Sequence, residues 1–231
     1  MFDDRAPPGA YVPNQWYLSI STDDLVQQFR RFLESKSKRI LALAARRELL
    51  RSREASALGV PRNYLSRLVQ KGALKKVGRG LYALAAKDPS KYLPLLRVSY
   101  RVPNGVICLM SSLQFHKLVK RAPNQVWIAI DVKAWTPSVP SPTTRFVRMS
   151  GQALTFGAKN YRVPGGKLRV YTPAKTVVDC FKFRNKIGIR VALAALKECK
   201  RVKKASLPEI QAAAEICRVS SVMRPYLELL W

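Results

Sequence analysis

The chain has 231 residues, of which 48% are apolar, and its 42 Lys plus Arg against 14 Asp plus Glu give a formal net charge of +28. That apolar share is enough for folded cores, which excludes a disordered basic tail. No run of about 18 apolar residues occurs, and the first twenty residues lack the pattern of a signal peptide. We therefore expect a cytoplasmic protein with one large domain or two small ones.

The cysteines and the single histidine exclude several kinds of site. Cys108, Cys180, Cys199 and Cys217 are far apart and form no C-x-x-C pair, whereas structural zinc needs closely spaced ligands. We expect four reduced cysteines in the core. Any Ser-His-Asp or Cys-His arrangement would have to use His116, and no nucleophile signature accompanies it. The sequence therefore predicts no metal, no cofactor and no enzymatic activity.

The positive charge predicts a polyanionic partner, with nucleic acid first and an acidic protein second. Residues 1–50 hold eight basic and six acidic groups, residues 51–87 hold nine and one, and residues 88–231 hold 25 and seven. Both later segments are basic, so both are expected to contact the anion.

The N-terminal region predicts an arm followed by two helices. Residues 1–21 are rich in Pro and Asn without helical or strand period, which indicates a loose arm. Thr22 is the candidate N-cap of an amphipathic packing or dimer helix, whose apolar positions are Leu25, Val26, Phe29, Phe32 and Leu33. A second helix is predicted from about Ser37 to Leu50, with buried positions at Ile40, Leu41, Ala44 and Leu49.

The next segment predicts a winged helix-turn-helix. Ser52 is a candidate cap of a short helix that ends at Gly59, and Pro61 opens a longer helix that runs to Lys71. After Gly72, the sequence LKKVGRGLYAL has the pattern of a strand, a Gly-Arg-Gly turn and a second strand.

The longer helix of this segment has two distinct faces. Its apolar face carries Tyr64, Leu65, Leu68 and Val69, and its polar face contains no acid. A solvated surface is the usual explanation of a polar helix face. Here the tight turn before the helix and the Gly-Arg-Gly hairpin after it favour DNA binding. Arg reads guanine, Asn and Gln read adenine, and a wing arginine enters a narrow minor groove. The predicted DNA-binding residues are Arg62, Asn63, Ser66, Arg67, Gln70, Lys71, Lys75, Lys76 and Arg79.

Beyond Lys87 the sequence predicts a mixed α/β region. The predicted strands are 105–109, 125–131 and 145–149, with a hairpin of 161–163 and 167–171. Ser111 or Ser112 is expected to cap a helix through Val119, and Thr172-Pro173 opens another, after which three or four helices follow. We expect an α/β (α+β) fold with an arm and extra helix at 1–36, a winged helix-turn-helix at 37–87 and a C-terminal domain at 88–231.

Four segments after the winged helix are distinctive: VICLMSSLQFHKL, QVWIAI, RVYTPAKTVVDCFKFRNKIGI and EICRVSSVMRPYLELL. In this order they resemble the AbiEi family of antitoxins, also described as predicted transcriptional regulators of viral defence systems. The resemblance runs from about Ile40 to Leu230.

The resemblance implies a phage-defence protein that represses its own operon at inverted repeats. Its C-terminal domain would antagonise a nucleotidyltransferase-type toxin, as in type IV toxin-antitoxin systems. Arg62, Asn63, Ser66 and Arg67 would occupy the recognition helix, and Arg79 would occupy the wing. Members of this type also occur without a toxin, and we expect a monomer or a weak dimer.

Three features of the C-terminal region remain open to more than one interpretation. Asp131-x-Lys133 is half of a nuclease metal pattern, but no second acid lies between Asp88 and Asp131, so a surface strand end is expected. Asp179 is expected to pair with Lys175 or with backbone donors, or else to contact a partner. A helix from Ile187 to about Lys204 groups a basic stripe that predicts contact with DNA phosphates or an acidic toxin, if it is not merely solvated: Arg190, Lys197, Arg201 and Lys204.

Three functions therefore compete. The leading one is a DNA-binding repressor that is also an antitoxin, with a stand-alone regulator as its variant. The second is an RNA-binding protein, because single-stranded RNA readers also combine basic charge with aromatic residues. The third and weakest is a metal-dependent nuclease.

Overall fold

The computed structural model describes residues 22–47, 49–86, 90–120 and 123–231, with the side chains of 22–26 and 28–34 left outside. The predicted arm and the apolar side chains of the helix after it therefore lie outside the described residues. The elements, in chain order, are α1 (Thr22–Arg46), β1 (Leu50–Arg51), α2 (Ser52–Ala57), α3 (Arg62–Gln70), β2 (Leu74–Gly78), β3 (Leu81–Leu84), α4 (Leu93–Arg101), β4 (Val106–Ile107), α5 (Leu109–Phe115), β5 (Val126–Asp131), β6 (Thr144–Met149), α6 (Gly151–Thr155), β7 (Ala158–Val163), β8 (Gly166–Tyr171), α7 (Pro173–Lys182), α8 (Arg184–Ile187), α9 (Ile189–Arg201), α10 (Leu207–Cys217) and α11 (Ser220–Leu230).

The N-terminal region differs from the prediction of two helices. A single 25-residue helix, α1, replaces them, because neither Gly nor Pro interrupts the chain between Thr22 and Arg46. The prediction that the second helix reaches Leu50 is also wrong, since Leu50 pairs with Tyr82 in the antiparallel β1–β3 ladder. Ile40 and Ala44 are buried as predicted.

A three-stranded sheet with the order β1-β3-β2 completes the winged helix. Its core joins apolar side chains of α1, α2, α3 and the sheet, namely Ile40, Ala44, Leu50, Ala55, Val60, Leu65, Leu68, Leu74 and Tyr82. The predicted cap of α2 is wrong by one residue. Arg51 is the N-cap, because the Glu54 carboxylate accepts its backbone N–H at 2.8 Å.

The C-terminal region contains a five-stranded mixed sheet with the order β6-β5-β4-β8-β7. The central β4 is antiparallel to β5 and parallel to β8, while β5 and β6 are parallel and β7 and β8 form an antiparallel hairpin. The predicted strands and hairpin are therefore present. Together with the winged helix they confirm the mixed α/β fold, whereas the proposed domain boundaries stay a prediction.

Helices cover both faces of this sheet. One face and α5, α7, α9, α10 and α11 share a large core, which includes Val106, Trp127, Tyr171 and Phe181. The other face packs against α4 in a core that also takes Leu49 and Ala83 from the winged helix. None of the described helices is both long and apolar enough to cross a membrane.

Of the two helix caps predicted in this region, one is present and the other is not. Thr172 caps α7 as predicted, accepting the Lys175 backbone N–H. Ser111 and Ser112 do not cap α5, which begins two residues earlier. Their hydroxyls have other partners, because Ser111 accepts the Trp127 backbone N–H and Ser112 lies 2.7 Å from the Thr176 hydroxyl.

Candidate nucleic-acid interface

Helix α3, which the sequence analysis predicts to be the recognition helix, is held in place by its apolar face. Leu65 and Leu68 are buried, and the Tyr64 hydroxyl lies 2.7 Å from the Ser37 hydroxyl of α1. Pro61, in extended conformation, precedes the first turn, and Gly72 with φ +69° ends the helix where a Cβ would be strained. Local sequence therefore determines both the length of α3 and the side that it buries.

The opposite face of α3 is exposed throughout. It carries, with the C-cap residue Lys71, every residue that the sequence assigns to DNA binding on this helix: Arg62, Asn63, Ser66, Arg67, Gln70 and Lys71. The only acid between residues 51 and 87 is Glu54. It is bound by the Arg47 guanidinium at 2.6 Å and does not neutralise the face. A face that is rich in hydrogen-bond donors and free of acids is thus presented to solvent.

The wing follows directly from α3. Strands β2 and β3 pair in antiparallel register with an irregularity between Lys76 and Gly78, and the turn between them holds Arg79 and Gly80. Gly80 has φ +69°, and an added Cβ would lie 3.0 Å from the Ser52 hydroxyl. Arg79 and Lys76 are exposed and Lys75 is half-buried. The predicted DNA-binding residues thus belong to two adjoining elements, since β2 packs against α3.

A helix that sequence analysis did not predict adds further basic groups beside the wing. Arg97 and Arg101 of α4 line a cleft of about 650 Å³ together with Lys76 and Arg79. The signal was present in the sequence LPLLRVSYR, whose Leu95, Leu96 and Val98 are buried at helical spacing.

The basic stripe of α9 divides into two pairs. Arg190 and Arg201 line a groove of about 700 Å³, while Lys197 and Lys204 lie outside its lining, and all four are exposed. Helix α9 is shorter at both ends than the predicted helix: Gly188, with φ +90°, precedes its first residue, and Lys204 lies beyond its last residue, Arg201. Arg201 is also bound by Glu198 at 2.6 Å.

The floor of this groove is apolar. It is formed by Met110, Leu118, Val119, Val191 and Ala194, and the charged side chains of the lining include Lys117, Lys120 and Glu198, the acid that pairs with Arg201. An apolar floor with a cationic rim suits a protein surface better than a phosphate backbone.

Asp179 and Lys175 form a fully buried ion pair at 2.5 Å, which is the pairing expected from the sequence. Burial raises the pKa of the Asp179 carboxyl, and the Lys175 charge opposes that shift. The Cys217 thiol donates to Asp179 Oδ1 at 3.7 Å, whereas Oδ2 has no hydrogen-bond partner within the described residues. The pair lies in the core and is unavailable to a nucleic acid.

His116 and Asp131 have structural partners. The buried His116 lies with Nε2 2.7 Å from the Tyr171 carbonyl oxygen, and since a carbonyl only accepts, Nε2 carries the hydrogen. Burial lowers the pKa of His116, against the effect of this hydrogen bond. Asp131 accepts the Lys133 backbone N–H at 2.8 Å, as at an ordinary strand end. The described residues contain no group of three or more His, Cys, Asp or Glu arranged to hold a metal.

Comparisons with known proteins agree with this architecture. Residues 38–85 match the family model described as "Transcriptional regulator, AbiEi antitoxin". The solved structure of the RV2827C protein from Mycobacterium tuberculosis is similar with a TM-score of 0.55 and 15% identity, over 78% of this chain and 71% of that chain. At this identity the likeness shows the fold alone. No curated protein matches the sequence. The resemblance to the AbiEi family is thus confirmed over residues 38–85, which comprise the end of α1 and the winged helix and are similar to the AbiEi antitoxin transcriptional regulators.

Proposed function

We propose that the chain is a repressor that binds its own promoter through the exposed face of α3 and the wing. The observation that carries this proposal is the acid-free polar face of α3, where all six side chains assigned to DNA are exposed. Arg62, Asn63 and Arg67 have the donors that match guanine and adenine in the major groove. Inverted repeats in the promoter would be bound by two copies of the chain.

A mobility-shift experiment separates the candidate ligands. The probes are a duplex from the region upstream of the chain's own gene, a scrambled duplex of equal composition, and single-stranded RNA of the same sequence. The upstream duplex is expected to bind at least about 10³-fold more tightly than the scrambled one. Preference for the RNA would support the RNA-binding alternative, and cleavage only with Mg²⁺ would support the nuclease.

The antitoxin half of the function is assigned to the groove between α5 and α9. Its apolar floor and cationic rim complement an acidic patch with apolar side chains on a partner protein, and the family name supports a toxin as that partner. We assign Arg190 and Arg201 to a nucleotidyltransferase-type toxin, and Lys197 and Lys204 to solvent.

The basic stripe supplies its own matched control. Arg190→Glu with Arg201→Glu should abolish rescue of cells that express the toxin from the adjacent gene, because like charges would face the toxin's acidic patch. Lys197→Glu with Lys204→Glu changes the net charge equally and should retain rescue. Equal loss in both variants would contradict the groove assignment. If no toxin gene lies beside this one, the antitoxin assignment is wrong and the alternative of a stand-alone regulator is supported.

A further inference from the structure

The turn that follows β5, residues 131–136, presents a tryptophan to solvent. Trp135 is 90% exposed, and Val132 in the same turn is 50% exposed. An indole ring that contacts water over nearly its whole surface adds nothing to the cores of the fold. Enclosed by another molecule, such a ring would remove about 150–250 Å² of its surface from water. Trp135 therefore has the properties of a binding residue.

Arg148 of β6 holds this turn in one conformation. Its guanidinium donates to the carbonyls of Val132 at 2.7 Å and Ala134 at 2.9 Å, and to the Thr136 hydroxyl at 2.8 Å. These hydrogen bonds fix the backbone on both sides of Trp135. A turn that is already ordered loses little conformational entropy on binding, so the indole ring is presented in a form that a pocket can receive.

A groove of about 570 Å³ lies between α10 and α11. Its apolar lining is supplied by Leu207, Ala214, Leu227 and Trp231. The Lys200 side chain of α9 donates to the Leu230 carbonyl, and its ammonium lies 5.1 Å from the centre of the Trp231 ring. The end of the groove that Trp231 forms is thus attached to α9.

This groove belongs to an acidic part of a basic protein. Residues 205–231 hold three acids and two bases, although the whole chain has a net charge of +28. Glu215 and Glu228 are exposed in the groove lining, together with one cation, Arg224. Neither glutamate forms an ion pair within the part of the chain that the structure describes. An apolar groove with unpaired carboxylates suits an apolar side chain that has a cation beside it.

The turn after β5 has this chemistry. Lys133 is exposed two residues before Trp135, so that a cation and an indole ring belong to the same turn. Helix α6 contacts both β5 and α10, which places the turn and the groove near each other on one molecule. A surface that carries both a projecting turn and a groove to receive it is self-complementary, and two copies related by a two-fold axis would make the contact twice.

We propose that two copies of this chain bind each other reciprocally, with Trp135 of each copy in the α10–α11 groove of the other and Lys133 beside Glu215 and Glu228. The inference goes beyond the proposed function, because the contact needs no DNA and uses neither α3 nor the α5–α9 groove. The net charge of +28 on each copy opposes association at low salt. At about 0.5 M salt the Debye length falls to about 4 Å, so the dimer should strengthen as salt rises.

Sedimentation velocity of the full chain without DNA, at about 0.5 M salt, measures this association. Wild type should form a dimer with a Kd on the order of 10 µM and no larger species, since reciprocal contacts close on themselves. Trp135→Ala should weaken the dimer at least about 30-fold, the loss typical of an aromatic hot spot. The matched control is Leu229→Ala, which truncates an 80% exposed side chain of α11 outside the groove lining and should leave the Kd unchanged.

Charge reversal tests the pairing of the turn with the groove. Lys133→Glu and Glu228→Lys should each weaken the dimer about tenfold, because like charges would then meet across the interface. Combined on one chain, the two substitutions again bring opposite charges together and should restore most of the affinity. Restored affinity would also show that both substitutions leave the fold intact.

The remaining outcomes would overturn the inference. A wild type that stays monomeric at roughly 200 µM would show that no such dimer forms. Equal weakening by Trp135→Ala and Leu229→Ala would indicate non-specific apolar association, and species larger than a dimer would contradict the reciprocal contact. If Trp135→Ala abolished toxin rescue without changing the Kd of the dimer, the turn would bind the toxin instead. Promoter preference is measured separately on duplex DNA, so failure of the dimer leaves the proposed function standing.

Discussion

Charged side chains occur in two opposite settings in this molecule. On α3, the wing and α4, arginines are exposed or half-exposed, and neither Arg67, Arg79 nor Arg101 has an acidic partner among the described residues. In α7, Lys175 and Asp179 are fully buried and paired with each other. Desolvation makes a buried charge dependent on its partner, whereas an exposed charge keeps its hydration until a ligand arrives. Charged side chains that support the fold therefore differ from those available to ligands in being buried and paired, whatever the sign of their charge.

The largest expected effect comes from breaking the buried pair. Asp179→Ala leaves the Lys175 ammonium buried without its counter-ion, which should lower the free energy of unfolding by about 3–5 kcal/mol. The double variant Lys175→Met with Asp179→Leu removes both charges and should lose much less. Urea unfolding measures both. Equal losses in the single and double variants would contradict a structural role for the pairing.

Substitution of the wing arginine should have an intermediate effect. It should change DNA binding and leave the stability of the fold unchanged. Arg79→Ala removes an exposed side chain, so folding should be unchanged, while affinity for the upstream duplex should fall by about 1.5–3 kcal/mol, as for one charge-assisted hydrogen bond. Arg79→Lys should restore phosphate binding but not insertion into a narrow A·T minor groove. Footprinting of the flanking base pairs distinguishes phosphate binding from insertion into the minor groove. Unchanged flanking protection in Arg79→Ala would contradict the assignment of the wing.

The smallest expected effect is the pH dependence that His116 contributes. It is the only histidine of the chain, so its ring signal can be followed directly by NMR. Burial lowers its pKa below 6.5, which means that the unfolded chain binds the proton more tightly. The contribution of the neutral His116 ring to the free energy of unfolding is complete above pH 6.5, and it declines as the pH falls towards the folded-state pKa. Wild type should thus lose more unfolding free energy between pH 7.5 and 5.5 than His116→Gln. Titration of the ring at or above 6.5 would contradict this sign.

The winged helix could be predicted from sequence because short-range rules determine it. The Leu65 and Leu68 spacing identifies the buried side of α3, and the glycines around Arg79 identify the wing. The Thr172-Pro173 start of α7 follows the same logic, since a cap and the proline after it act on adjacent residues. In each case the residues that indicate the element lie within a few positions of the backbone that they determine.

The remaining features depend on contacts between distant segments. Ser111 and Ser112 have the composition of a cap, yet Trp127 and Thr176 use their hydroxyls inside the core. The cleft of Arg97 and Arg101 exists only because α4 packs between the sheet and the wing. The apolar floor of the α5–α9 groove likewise joins segments about 80 positions apart, which no periodicity in one segment indicates.

The most direct test of the account is the specificity ratio of the recognition-helix variant. Arg62→Ala with Arg67→Ala removes two exposed side chains that no described partner holds, and its binding is measured on the upstream and scrambled duplexes. Since each bidentate contact contributes about 1–3 kcal/mol of discrimination and two contacts are lost, we expect the preference for the upstream duplex to fall at least about 30-fold. Toxin rescue by the same variant at matched protein levels should persist. An unchanged ratio of the two affinities would contradict the claim that α3 reads the promoter.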